Sequence, residues 1–211
     1  TADGREFVYC KAGATALVAG NVIQTAAELT NHDNLAVTAA AIGALTVTVT
    51  LGNTAVTENQ YAGGTMAVDT TPGIGYTYLI TSHPAADASA ACVFTIATPG
   101  VIIALTTDSR VTLVPNPWKG VIQAPINTLT GAIVGVAPYI IADNEWGWLQ
   151  TRGACGTLSA GTIAVGAAAT SPGSAAGAVV TDPANASVQI IGYALVAAAS
   201  GEVTQVLLNI T

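Results

Sequence analysis

The sequence predicts an all-β protein, built of small β-barrel or sandwich modules of short antiparallel strands with very little helix. Three observations predict this class. Apolar and small polar residues alternate with a period of two, as in "LTVTVTL" (45–51), where Leu45, Val47, Val49 and Leu51 share one face and threonines take the other. Turn residues recur at intervals of about eight to twelve, the spacing of sandwiches and small barrels and not of βαβ units. Helix signals are weak throughout.

Taken in order, "KAGATALVAGNVIQTA" (11–26) reads as Gly/Ala/Val-rich short strands, and "TAAELTNH" (25–32) is a weak helical candidate. "LTVTVTL" follows as a half-buried antiparallel strand. In "TENQYAGG" (57–64), Thr57 is a candidate N-cap, Gln60 sits at the capping-box position and glycines stop the element, so one or two helical turns are expected. "TMAVD" (65–69), "GYTYLI" (75–80), "CVFTIA" (92–97) and "RVTLV" (110–114) continue the strand pattern. Pro115 and Pro117 interrupt it in "VPNPWKG" (114–120), which marks a boundary. Beyond it come "GVIQAP", "IVGVAPYII", "WGWLQT", "TIAVG", "GAVVT", "VQIIGYALV" and "TQVLLNI". The compositional likeness of 11–26 to this later half predicts that residues 1–30, an N-terminal arm and first strands, pack with a C-terminal β domain at 117–211. Residues 31–116 then form an inserted β subdomain.

Composition narrows the function. Only 8% of the 211 residues are charged, against roughly 25% in an average soluble domain. The net charge is −7, and the five cations, Arg5, Lys11, Arg110, Lys119 and Arg152, are scattered singly. Nucleic-acid binding, which needs clustered cations against phosphates, is not expected. The longest uncharged stretch, 153–181, is full of Gly, Ser, Thr and Pro and lacks the large apolar residues of a membrane span. No charged and apolar leader opens the chain, and cytoplasmic production is expected. Cys10, Cys92 and Cys155 are too few and too far apart for a disulfide scaffold or zinc cluster, so free, mostly buried thiols are expected.

No motif carries chemistry. His32 ("NHD") and His83 ("SHP") both read as turn residues, and neither accompanies a G-x-S-x-G elbow. "NHDN" (31–34) lacks the spacing of known metal loops. "GATALVAGN" (13–21) lacks the Walker lysine, and "PGIGYTY" (72–78) enters a strand where a phosphate loop would enter a helix. The expectation is a protein without catalytic residues, cofactor or metal.

The aromatic residues remain. In "NEWGWLQTRG" (144–153), Trp146 and Trp148 are two positions apart, so a strand points both to one face. With Trp118 they are candidate interface or core aromatics. The reading favours a shared buried face, with one ring in the core and the other against a neighbouring element or subunit, over a sugar-stacking platform. A β surface of Ala, Val, Thr and Gly with few charges also has little protection against edge-to-edge association, which points to a structural subunit whose surface is buried in an assembly.

The run from Val134 to Val179, with Gly147-Trp148, Thr151-Arg152-Gly153 and Gly161 to Gly166, and the later Gly192 to Leu195, resembles β-rich head proteins of tailed bacteriophages, in particular capsid decoration (cement) proteins. "NQYAGGTMAVDTTPGIGYTYLITSHPAA" (59–86) is similar to a segment of the same class. The resemblance covers most of residues 11–211. It implies a virion protein on the capsid exterior, made in the host cytoplasm, that binds the major capsid protein, staples neighbouring capsomers and forms a homo-oligomer, in many cases a trimer. It transfers no catalytic residue. Arg5, Phe7 and Tyr9, in the polar and then β-like start "TADGREFVYC", are the candidate capsid-contacting arm. A receptor- or glycan-binding spike and a surface filament subunit are the alternatives.

Overall fold

A computed structural model describes residues 3–182 and 189–210; Val188, in the predicted strand "VQIIGYALV", lies outside them. The chain divides into two compact units, one of 1–27 with 117–211 and one of 28–116. The strands are β1 (Glu6–Ala12), β2 (Val22–Gln24), β3 (Leu35–Ala36), β4 (Thr46–Thr50), β5 (Thr65–Val68), β6 (Thr77–Ser82), β7 (Ala91–Ile96) and β8 (Arg110–Val114). They continue with β9 (Lys119–Gln123), β10 (Ile133–Val136), β11 (Trp146–Leu158), β12 (Ala168–Thr170), β13 (Val180–Thr181), β14 (Ile190–Ala194) and β15 (Val203–Asn209). The fold is all-β, as its period-two patterning predicts.

In the 28–116 unit the strands run β3-β8-β5-β6-β7-β4, all antiparallel. A bridge between Val37 and Val49 closes the ring, with the Thr38 N–H donating to the Thr48 carbonyl. Alternation decides the inside: in β4, Val47 and Val49 are buried while the flanking threonines face out. Tyr61, Met66, Ile80 and Phe94 fill the centre.

The unit of 1–27 and 117–211 contains two such rings that share β11. The first runs β1-β9-β2-β10-β11 and closes where β11 pairs back onto β1. Its interior is Cys10, Ala12, Leu17, Ile23, Val121, Ala137, Ile141 and Leu149. The second runs β11-β15-β14-β12-β13 and is completed by a parallel bridge between Ser159 and Val179. A closed ring pairs the backbone groups that an open edge would present.

One turn is used repeatedly. Eight four-residue turns, starting at Val18, Ala41, Thr57, Asp87, Thr106, Ala142, Ala164 and Ala199, each carry a hydrogen bond of 3.1–3.2 Å from the fourth N–H to the first carbonyl. In seven the third residue has positive φ: Gly20, Gly43, Asn59, Ser89, Asn144, Gly166 and Gly201, the slot where Gly and Asn pay least. The residue just before each turn pairs with its counterpart before another, as Leu17 with Ile141, Ala40 with Leu105, Val56 with Ala86 and Ile163 with Ala198. Both members of every pair exchange N–H to carbonyl bonds.

The two helical expectations are corrected. Residues 58–63 form turns, although the Thr57 N–H does donate to Gln60 Oε1 at 3.0 Å, one half of the capping-box exchange. The positive φ of Asn59 (56°) stops helix propagation there. Within 25–32 only Thr30–His32 forms a 3-10 turn. His32 lies in that 3-10 turn, as read, and His83 directly follows β6; both rings are buried. His83 Nε2 accepts the Tyr61 backbone N–H (3.0 Å) and its Nδ1 lies 2.8 Å from the Pro84 carbonyl. His32 lies between the Tyr61 hydroxyl (2.6 Å) and the Thr54 carbonyl (2.9 Å). Each ring satisfies buried polar groups that would otherwise cost about 1–3 kcal/mol.

Candidate interaction face

The seam between β1 and β11 sets out the aromatic residues. The strands are antiparallel, with Tyr9 opposite Trp148 and Lys11 opposite Trp146. Cys10, Ala12 and Leu149 turn into the ring, and Gly147 faces the same way, against Ile141. The alternate positions therefore point outward, and Tyr9, Trp146 and Trp148 are 50%, 52% and 48% exposed. This corrects the expected buried face. The parity was as read, but the inner space beside Gly147 is filled by Ile141, whose Cδ1 would lie 2.5 Å from a Cβ there.

Outward side chains from the two strands interdigitate. Tyr9 stacks on Trp146 with centroids 5.1 Å apart and planes 9° from parallel, and it meets Trp148 at 5.0 Å and 54°. Lys11 Nζ lies 6.0 Å from the Trp146 centroid, and the Arg5 guanidinium 5.7 Å from that of Phe7. The result is a cross-strand aromatic ladder with a cation at each end, held by stacking and cation–π attraction. Tyr9 covers one face of the Trp146 ring and Lys11 lies near it, while the ring as a whole stays half exposed. Trp148, Phe7 and Tyr139 line a shallow apolar concavity of about 400 Å³.

Tyr139 was not singled out in the sequence, and its role is structural as well. β10 and β11 share the pair Val136 and Gln150, and beyond it the Trp148 N–H donates to the Tyr139 hydroxyl at 2.9 Å. A side-chain oxygen thus takes the place of a neighbouring strand's carbonyl. The signal that could have found it is "PY" directly after a strand, where proline ends the ladder and leaves donors to be met.

Arg5, Phe7 and Tyr9 stand at the ladder because Glu6–Ala12 is a barrel strand and not a projecting arm. Arg5 pairs with Asp3, and Arg152 with Glu6 at 3.3 Å, both pairs being exposed. Trp118 is elsewhere: it lines a second concavity of about 420 Å³ with Val8, Thr25, Ile133, Thr151 and Ile210.

Cys10, Cys92 and Cys155 are free and buried, as expected. Burial pushes the thiols of Cys10 and Cys155 up to about 11 and raises that of Cys92, which disfavours the thiolate at each. Among the described residues no group of three His, Cys, Asp or Glu is placed to hold a metal ion. No helix of the described residues is long and apolar enough to cross a membrane.

Fold and face together define a closed-ring β protein that presents a cation-flanked aromatic ladder. No protein-family model, curated protein or solved structure matches the chain.

Proposed function

We propose that this chain is a structural virion protein that binds the outer surface of an icosahedral phage capsid and stabilises capsomer contacts, with the β1–β11 ladder as its contact face. The observation that carries the reading is three aromatic rings, each about half exposed, side by side on one sheet face. Tyr and Trp are enriched where proteins meet, since they bury large areas at low entropic cost, and contiguous exposed apolar surface marks interaction sites. The resemblance to phage head proteins supplies the assembly.

Quantitative mass spectrometry of purified particles tests it. A copy number near that of the major capsid protein, or one third of it, is the expected result. A few dozen copies would point to a vertex spike instead, and absence from particles would end the virion reading.

Receptor or glycan binding is the second reading, favoured by the exposure of Trp146 and Trp148. It predicts oligosaccharide binding on an array that Trp148→Ala abolishes. The Tyr9 ring stacked on Trp146 weighs against it at that residue, because it covers one aromatic face a sugar ring would use.

A further inference from the structure

We infer that His83 is an acid-sensitive latch: in mild acid its ring takes up a proton, releases the Tyr61 amide and opens the 57–62 segment of the 28–116 unit.

The hydrogen bonds around His83 fix its ring in one neutral form. Nε2 accepts the Tyr61 backbone N–H at 3.0 Å, so that nitrogen carries no hydrogen. Nδ1 lies 2.8 Å from the Pro84 carbonyl, which can only accept, so the ring hydrogen is on Nδ1. A second proton would go to Nε2 and set two donors against each other. The ring is buried and packed on Phe94 with centroids 4.6 Å apart, so both the new charge and the Tyr61 N–H would be cut off from water. The proton is accommodated by moving the ring out.

His32 differs at the matching contact. Its Nε2 lies 2.9 Å from the Thr54 carbonyl and its Nδ1 2.6 Å from the Tyr61 hydroxyl. A hydroxyl accepts as readily as it donates, so that contact survives a proton and the His83 contact does not.

The segment that His83 holds is a run of turns between the Val56–Ala86 bridge and the bond from the Gly63 N–H to the Ile80 carbonyl. The Asn59 N–H donates to the His83 carbonyl at 3.0 Å, and the His83 N–H donates to Asn59 Oδ1 at 3.1 Å. The Tyr61 bond to the ring is the innermost of these ties. Tyr61 itself is buried among His32, His83 and Phe94, and it loses that seat when the ring leaves.

The titratable side chains packed with the ring are Tyr61 and Cys92, whose Sγ is 4.0 Å from Nδ1, with His32 beyond Tyr61. Burial raises both Tyr61 and Cys92, so neither supplies a negative charge to hold an imidazolium in place. The carboxylates of the same segments, Asp33, Glu58 and Asp87, are exposed. A released imidazole is protonated below about pH 6.5, so the open form gains about tenfold over the closed one for each pH unit below that value. Both of the chain's histidines belong to the 28–116 unit, so this response spares the other unit.

The test reads Cys92 in the full-length reduced protein. Labelling by dithiodipyridine is followed site by site by mass spectrometry, and each rate is divided by that of an unstructured cysteine peptide at the same pH. Cys10 and Cys155, buried in the other unit, are internal controls. From about pH 7 to about pH 5 the Cys92 rate should rise about twentyfold while the controls stay level. His83→Gln offers an amide that does not titrate, and the variant should lose most of the rise. A long-range proton–nitrogen spectrum of the parent keeps the test independent of whether that variant folds. Near neutral pH it should show opposite tautomers, Nδ1–H at His83 and Nε2–H at His32.

No rise at Cys92 would overturn the inference, as would an equal rise in folded His83→Gln. So would a His83 ring that gains its proton while Cys92 stays protected, or Nε2–H at His83 near neutral pH. Exposure of all three cysteines together would mean global acid unfolding in place of a latch.

Discussion

Gly147 shows how one missing side chain sets the outer face of the seam. Ile141 is buried against it, with Cδ1 and Cγ1 at 2.5 and 2.7 Å from where a Cβ would lie. Gly147→Ala must displace Ile141, and we expect a loss of about 1–3 kcal/mol, the usual cost of overpacking, in the urea midpoint. Thr157 is the opposite case. Its hydroxyl is buried without a hydrogen-bond partner, so Thr157→Val should leave stability unchanged or raise it by up to about 1 kcal/mol. A measured loss would show that the hydroxyl has a partner.

At the level of elements, the ladder has to do with register as well as recognition. Stacking Tyr9 between Trp146 and Trp148 favours the alignment of β1 on β11 over a slipped pairing, which would turn the rings inward. A double-mutant cycle on Tyr9 and Trp146 should give a coupling of about 0.5–1.5 kcal/mol, the range for aromatic pairs. Tyr9 and Trp118 should be additive. The repeated turn has a trace in the sequence: "LVAG" (17–20), "AAIG" (40–43), "VTEN" (56–59), "IADN" (141–144) and "IAVG" (163–166) all place Gly or Asn three residues after a buried apolar residue. The repeat is short and its other positions vary, so the strands on either side dominate the pattern.

For the whole molecule, the buried thiols set an alkaline limit. A thiol of ordinary value 9.0 in the unfolded chain rises to about 11 at Cys10 and Cys155, with desolvation the cause at each and Arg5 opposing it at Cys155. Above pH 9 the unfolded chain sheds protons that the folded one keeps, so folding is disfavoured. The contribution is complete below about pH 9 and falls by about 1.4 kcal/mol per pH unit for each thiol until about pH 11. The reduced protein should show a lower urea midpoint at about pH 10.5 than at about pH 8, and a Cys10→Ala/Cys155→Ala variant should lose less of its midpoint across that range. Burial also raises the Tyr61 phenol, with the same sign at still higher pH.

The sequence by itself determined the all-β class, the positions of most of the longer strands and the shared side of Trp146 and Trp148, whereas "TIAVG" (162–166), expected as a strand, forms a bridge and a turn. Alternation and turn chemistry are local properties, set by the pleat and by which residues tolerate positive φ. Tertiary structure decided which side that was. Trp146 and Trp148 flank a glycine, so hydrophobicity along β11 favours the rings as the inner face. The choice came from β1, which turns Cys10 and Ala12 inward, and from Ile141, which occupies the space beside Gly147. Those contacts join residues more than a hundred positions apart as well as near neighbours, and only packing density inside a closed ring selects between the two faces. The burial of His32 and His83 has the same origin: each polar ring is held by partners from other segments, which no local pattern announces.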